Sequence, residues 1–442
     1  MRDFAVVLMA VFVAVAAWRV PWHGVLGLAF FGYASPHRYA WSYAYTLPVY
    51  QTILFVVFLA AFRTKDRQPI PSDWRIKAFY LLWAWFLVTT IASPIGWAAW
   101  PKLWDVSKVY IPLVLTLILI NNREKLFWLL ATIGLSFGVV AAKGGIFAIT
   151  RGFHYRVWGP EGTMYGGNNE FSIATLASIP LLVLMVRRLK GEAGWKKWLR
   201  WLAIVTIPLA FASAISSWSR GGMLTLLALV MVLWWHSRHK ILFTLVLIVA
   251  GYFAPSVVPH EWVERMETIQ HYEEDGSAMG RIEAWQDGLN FIKDHPILGA
   301  GFDGWRYVTK RDWHSSYIEI LVEHGIPGAL LWGLLIFGSL ASLTRLIGIA
   351  RKDPKVEWAR DYAIMIRASI IAYLGGSATL GITYWDLIYQ LVFCAVLLKQ
   401  FVMAEHAPAF SPSRHGGSAR RKMQGAPRPL FERAGRSVDL QN

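Results

Sequence analysis

The sequence predicts an all-α polytopic membrane protein with about 12 transmembrane helices and one large helical loop on the outer side. Three observations predict it. Only 16% of the 442 residues are charged, where soluble domains carry about 25%, and the mean hydropathy is +0.39. Apolar runs long enough to cross a bilayer recur along most of the chain. These runs are longer than the roughly 10-residue strands of a transmembrane barrel and do not alternate.

Taken in order, the expected spans are 4–18, 24–33, 45–62, 78–91, 103–120, 126–150, 171–186, 199–216, 221–236, 241–254, 326–347, 363–380 and 387–402. The count is 12 or 13, because Pro21 breaks two short runs at the start. The first run has no small-residue cleavage site and is read as a retained segment, not a cleaved signal peptide. Cys394 is the sole cysteine, so neither an intrachain disulfide nor a thiolate metal cluster is possible.

Charge then orients the spans. The basic clusters "FRTKDRQPIPSDWRIK", "NNREK", "RRLKGEAGWKKWLR", "HSRHK" and "RKDPKVEWAR" fall in every second loop, which places those loops in the cytoplasm. The net charge of +16 is therefore read as topology and not as a nucleic-acid surface. Four parts follow: N-terminal transmembrane helices (1–254), an outward loop with helices (255–325), C-terminal transmembrane helices (326–403), and a basic tail (404–442) read as disordered, cytoplasmic and able to touch anionic lipid. Within 255–325, Ile282, Trp285, Leu289 and Ile292 stand at helical spacing before Pro296. The Gly-rich "ILGAGFDGW" reads as an elbow, and a second helix is expected from about His314 to His324, stopped by Gly325 and Pro327.

The outward face gathers cations. Arg220 lies in the tight turn "SWSRGG", where it is either an interfacial structural arginine or a ligand-binding one that two glycines let a ligand approach. Arg281 reads on spacing alone as a solvated helix residue. "RGFHYR" adds Arg151 and Arg156, and Lys143 inside an apolar run either faces a wet cavity or snorkels. Guanidinium forks suit phosphate, so a pyrophosphate ligand with a lipid tail is expected. At the helix N-terminus His314 stays neutral as a candidate base, or is simply a buried ring; His324, in the last turn, reads as a cap on helix carbonyls. The outward acids Glu161, Glu170, Asp303, Asp312, Glu319 and Glu323 form no Asp-x-Asp pair, so neither a metal nor any other cofactor is expected.

"SRGGML", "GRIEAWQDGLNFIKDHPILGAGFDGW" and "HSSYIEILVEHGIPGALLW" together resemble the signature region of the bacterial O-antigen ligase and polymerase superfamily. The N-terminal "MRDFAVVLMA…PWHGVLGLAFFGYASPHRYAWSYAYTLP" resembles its O-glycosylation ligase subgroup, so the resemblance runs to about residue 400. It implies a GT-C-type glycosyltransferase of the bacterial inner membrane with its active site facing the periplasm. Such an enzyme takes a glycan from undecaprenyl pyrophosphate and passes it to lipid A-core or to a protein hydroxyl. It also implies that Arg220 and Arg281 hold the pyrophosphate and that His314 is the base, with Lys143, Arg151 and Arg156 as further candidates. A polymerase on the same carrier and a lipid-linked glycan transporter are the alternatives. The chain has His314-Ser315 where the family pattern often has His-Asn.

Overall fold

A computed structural model describes residues 1–267 and 276–406, and these are helical without strands. Helix α1 (Arg2–Arg19) gives way to α2 (Pro21–Tyr33) where Pro21, which has no N–H to donate, starts a new helix. After a 3-10 turn at Pro36–Tyr39 come the short α3 (Tyr43–Thr46) and α4 (Val49–Arg63). Asp73 caps α5 (Trp74–Ile91) by accepting the Arg75 N–H, and its carboxylate also meets Lys399 of the helix Asp386–His406. Then follow α6 (Trp100–Leu119), α7 (Arg123–Thr150), α8 (Asn168–Arg188), α9 (Trp195–Ile215), α10 (Arg220–His236), α11 (Lys240–Val257), α12 (His260–Glu267), α13 (Gly276–Asp294), α14 (Trp305–Val308), α15 (Ser316–Lys352), α16 (Ala359–Ser377) and α17 (Asp386–His406).

Among the described residues, five helices are long and apolar enough to cross a membrane: α7, α8, α9, α15 and α17. Shorter apolar helices are α4, α10 and Lys240–Phe253 of α11. The expected basic tail lies, from residue 407 on, outside the described residues, as do residues 268–275 of the expected outward loop.

Helices α8 and α17 run through the middle of the bundle, with most of their apolar length buried. Helices α7 and α9 meet at backbone distance. A Cβ added at Gly145 would lie 2.1 Å from the Leu209 carbonyl oxygen, so only a small residue lets them approach. Helix α11 instead exposes Ile241, Leu245, Ile248 and Tyr252, a face suited to lipid.

Two features position the site. Helix α15 is broken at Gly325 (φ +67°, ψ −175°), which leaves a separate short helix at 316–324 before a long apolar one carrying Pro327 in its first turn. A helix end leaves carbonyls without partners. Here the Gly-rich elbow supplies them: Ala300 N–H donates to Val322 O (2.8 Å) and Gly301 N–H to Glu323 O (2.7 Å). The second feature is α13, whose buried face is rotated from the expected one. Ala284, Gly288 and Ile292 face inward, and Leu289 is exposed. The reason is Gly288, which leaves room for the indole of Trp313, 2.9 Å from where a Cβ would stand.

Candidate active site

Packing of Trp313 fixes the backbone of its neighbour, His314. The Trp313 ring is buried with Ile292 and Val322, and its carbonyl accepts the Trp285 indole N–H at 2.6 Å. His314 then takes a left-handed backbone (φ +44°), two residues ahead of α15 and not as that helix's first residue, which the sequence suggested. Left-handed non-glycine residues are strained by about 1–3 kcal/mol and persist only where the surroundings hold them.

The start of α15 is tied to the connection between α16 and α17. Ser316 Oγ donates to Leu380 O (2.9 Å) and accepts from Ile382 N–H (2.9 Å), while Thr383 Oγ1 donates to Ser316 O (3.1 Å). The same connection reaches α10, because a Cβ at Gly221 would lie 2.3 Å from Thr379 Oγ1. One at Gly222 would lie 2.2 Å from Ser172 Oγ of α8. The starts of α8, α10 and α15 therefore meet at one end of the bundle. Arg220 opens α10 there, behind the Ser219 cap, and Glu170 stands in the first turn of α8.

His314 is half-buried, and burial is the main cause that lowers its pKa from the ordinary 6.5. The Asp312 carboxylate opposes this, the Arg281 guanidinium reinforces it, and the Glu170 carboxylate opposes it again. Burial, reinforced by Arg281, favours the neutral ring. These influences also locate Arg281 and Glu170 within electrostatic reach of His314, from α13 and α8 respectively.

The loop at 151–167 is knitted to the turn before Arg220. Val157 N–H donates to Ser216 O (2.9 Å), Ser216 Oγ to Tyr155 O (2.7 Å), and Asn168 Nδ2 to Ser217 O (2.8 Å). Arg156 lies with its guanidinium carbon 5.4 Å from the centre of the Trp218 ring, two residues from Arg220. Arg151 is exposed at the end of α7. Lys143 is exposed on α7 with its ammonium 4.5 Å from the Tyr39 ring, beside the 36–39 turn and not beside Arg220.

One expectation is corrected. His324 does not cap carbonyls with its ring. The ring is buried, with Nδ1 bonded to Thr89 Oγ1 (2.7 Å) and Nε2 to Tyr384 Oη (2.9 Å), and Trp85 donates its indole N–H to the His324 carbonyl instead. Glu319 and Glu323, on the expected outward side, are not open to solvent. Both are buried: Glu319 Oε2 accepts the Thr383 N–H (3.2 Å) and Glu323 Oε2 accepts the Tyr384 hydroxyl (2.5 Å). The kink explains both, because a helix that stops at Gly325 turns its last two turns onto α5 and the 379–384 connection. Sequence reasoning missed Thr379, at the end of the expected span 363–380, and Tyr384, between that span and the next. Their signal was polar residues interrupting an apolar C-terminal half; their partners lie 60 or more residues away in the chain.

Residues 205–333 match the family described as O-antigen ligase, and residues 1–190 match a family of unknown function (DUF5935). No curated protein matches the chain. Arg220, Arg281 and His314 all lie within 205–333; Lys143, Arg151, Arg156 and Glu170 lie within 1–190.

Proposed function

We propose, from the premise that residues 205–333 make this chain a member of the O-antigen ligase superfamily, that it transfers a glycan from undecaprenyl pyrophosphate to an acceptor hydroxyl. The observation that carries the reading is the meeting of His314, Arg281 and Glu170 beside the turn that bears Arg220. The acceptor oxygen attacks the anomeric carbon and its proton passes to the neutral His314. The bond from that carbon to the pyrophosphate oxygen breaks, and the electron pair leaves with the carrier. Attack opposite the leaving group inverts the anomeric centre. Arg220 and Arg281 stabilise the charge that grows on the pyrophosphate, which is where preorganised cations act most strongly. Arg156, held at Trp218, is placed to help them, and Arg151 is a more distant candidate. With guanidinium groups carrying that charge, the transfer is proposed as metal-independent.

The multi-pass bundle is assigned to the bacterial inner membrane with about 12 crossings and this end in the periplasm, because the basic clusters fall in the opposite loops. The acceptor is lipid A-core or a protein hydroxyl. A polymerase that joins repeat units on the same carrier would use the same cluster.

The test is purified protein in nanodiscs with a defined undecaprenyl-pyrophosphate glycan and candidate acceptors, with products identified by mass spectrometry. His314→Ala is expected to lower turnover by about 10²–10⁴-fold, the usual contribution of a general base. Arg220→Ala and Arg281→Ala should each lower kcat/KM, and chelator should leave the rate unchanged. Near-normal transfer by His314→Ala would remove the base assignment. Transfer onto carrier-linked repeats alone would favour the polymerase.

A further inference from the structure

A second chamber opens at the same end of the bundle, outside the His314 cluster. Its volume is about 590 Å³, within the roughly 300–1,000 Å³ of small-molecule sites. Its lining includes His37, Arg38, Tyr45, Tyr50, Tyr165 and Asp386. Its walls are fastened. Tyr165 Oη donates to Gly32 O (3.0 Å) and is bonded to Ser35 Oγ (3.1 Å), so its ring is set as a wall against Phe137. Arg38 lies over the Tyr45 ring at 5.1 Å and is seated against Gly162, where a Cβ would be 3.0 Å from its Nη1. Asp386 lies within electrostatic reach of the Tyr33 hydroxyl. His37 Nδ1 is buried and has no hydrogen-bond partner among the described residues. Burial, then the Arg38 charge, lowers the His37 pKa, so the ring is neutral and offers one donor and one acceptor.

Aromatic faces beside a guanidinium, a carboxylate and a neutral imidazole suit one ligand chemistry in particular. A sugar ring presents C–H groups to an aromatic face and hydroxyls, each both donor and acceptor, at its edge. A lipid tail would leave these charges unmet, and a bare phosphate would meet Asp386 as well as Arg38. The connection between α16 and α17 joins the chamber to the catalytic cluster: Thr379 touches Gly221, and Asp386 lines the chamber. They stand seven positions apart, at most about 25 Å of extended chain, a span of a few sugar units. Lys143 belongs to this side too, since it lies over Tyr39, the neighbour of Arg38.

We infer that the chamber lined by His37, Arg38, Tyr165 and Asp386 is a saccharide-binding subsite that holds a stretch of glycan while its end lies at His314. The choice of glycan rests on the glycosyltransferase reading; the two sources are the donor repeat and the acceptor core. The probes are the core oligosaccharide and the O-antigen repeat oligosaccharide, both released from lipopolysaccharide by mild acid. Saturation-transfer NMR on the full chain in nanodiscs reads their binding. One probe is expected to bind wild type and the His314→Ala variant equally, and to bind Arg38→Ala at least fivefold more weakly. Thr46→Trp, at an exposed lining position where the new ring fills the mouth, should abolish binding without changing the size-exclusion profile. Core binding assigns an acceptor subsite, and repeat binding a donor subsite. If neither probe binds wild type, or if binding survives both Arg38→Ala and Thr46→Trp, the subsite is refuted even where transfer is intact. Binding without any transfer would instead overturn the glycosyltransferase reading and leave the subsite standing.

Discussion

At the scale of the residue, His314 is defined by what surrounds it. As the proposed base it must be neutral to accept a proton, and its surroundings lower its pKa from the ordinary 6.5. Activity is therefore expected above that lowered pKa and lost as pH falls through it. Arg281 lowers this pKa and Glu170 raises it. Arg281→Gln should move the acid limb of the kcat/KM profile to higher pH, and Glu170→Gln should move it to lower pH. An acid limb unmoved by both would mean that the titrating group is not His314. His324, the second histidine of the same short stretch, is the contrast. Both of its nitrogens are bonded inside the protein, to Thr89 and Tyr384, so it is spent on structure. The sequence separates the two rings by position along a helix. It does not show that Tyr384, 60 residues on, completes the second.

At the scale of the element, the decisive feature is the break in α15. A Cβ at Gly325 would lie 2.0 Å from the Ile297 carbonyl oxygen, and its backbone (φ +67°, ψ −175°) is open almost only to glycine. Gly325→Ala is expected to cost about 1–3 kcal/mol or more, read as a lower melting temperature of the detergent-solubilised protein and reduced folded yield. An unchanged melting temperature would mean that the elbow at 299–301 does not depend on this geometry. The stop at Gly325 was legible from Gly-Ile-Pro. The partners of the freed carbonyls were not, because Ala300, Gly301 and Trp85 come from elsewhere in the chain. The face of α13 was misread for a similar reason. Periodicity counts apolar residues, whereas a glycine that admits a tryptophan from another segment is invisible to it.

At the scale of the whole molecule, the proposed orientation of the bundle rests on the alternation of basic loops. Cys394 is fully buried, which makes the chain suited to single-cysteine labelling. Trp158 and Glu192 are both exposed, on loops at opposite ends of α8. Trp158→Cys should react with an impermeant maleimide in intact spheroplasts, and Glu192→Cys only after lysis. The reverse pattern would put the His314 end in the cytoplasm and end the periplasmic proposal.

The sequence by itself determined that this chain is helical, with apolar runs long enough to cross a membrane, and that residues 205–333 carry the motifs of the O-antigen ligase family, because apolar length and short motifs are local properties. It also singled out Arg220, Arg281 and His314. Tertiary structure decided which charges share a site. It brought Glu170 to His314 and Arg156 to Trp218, moved Lys143 to the 36–39 turn, and buried Glu319 and Glu323. The physical reason is that electrostatic influence and burial depend on distance in space, and helices that cross at glycine contacts set those distances between residues far apart in the chain.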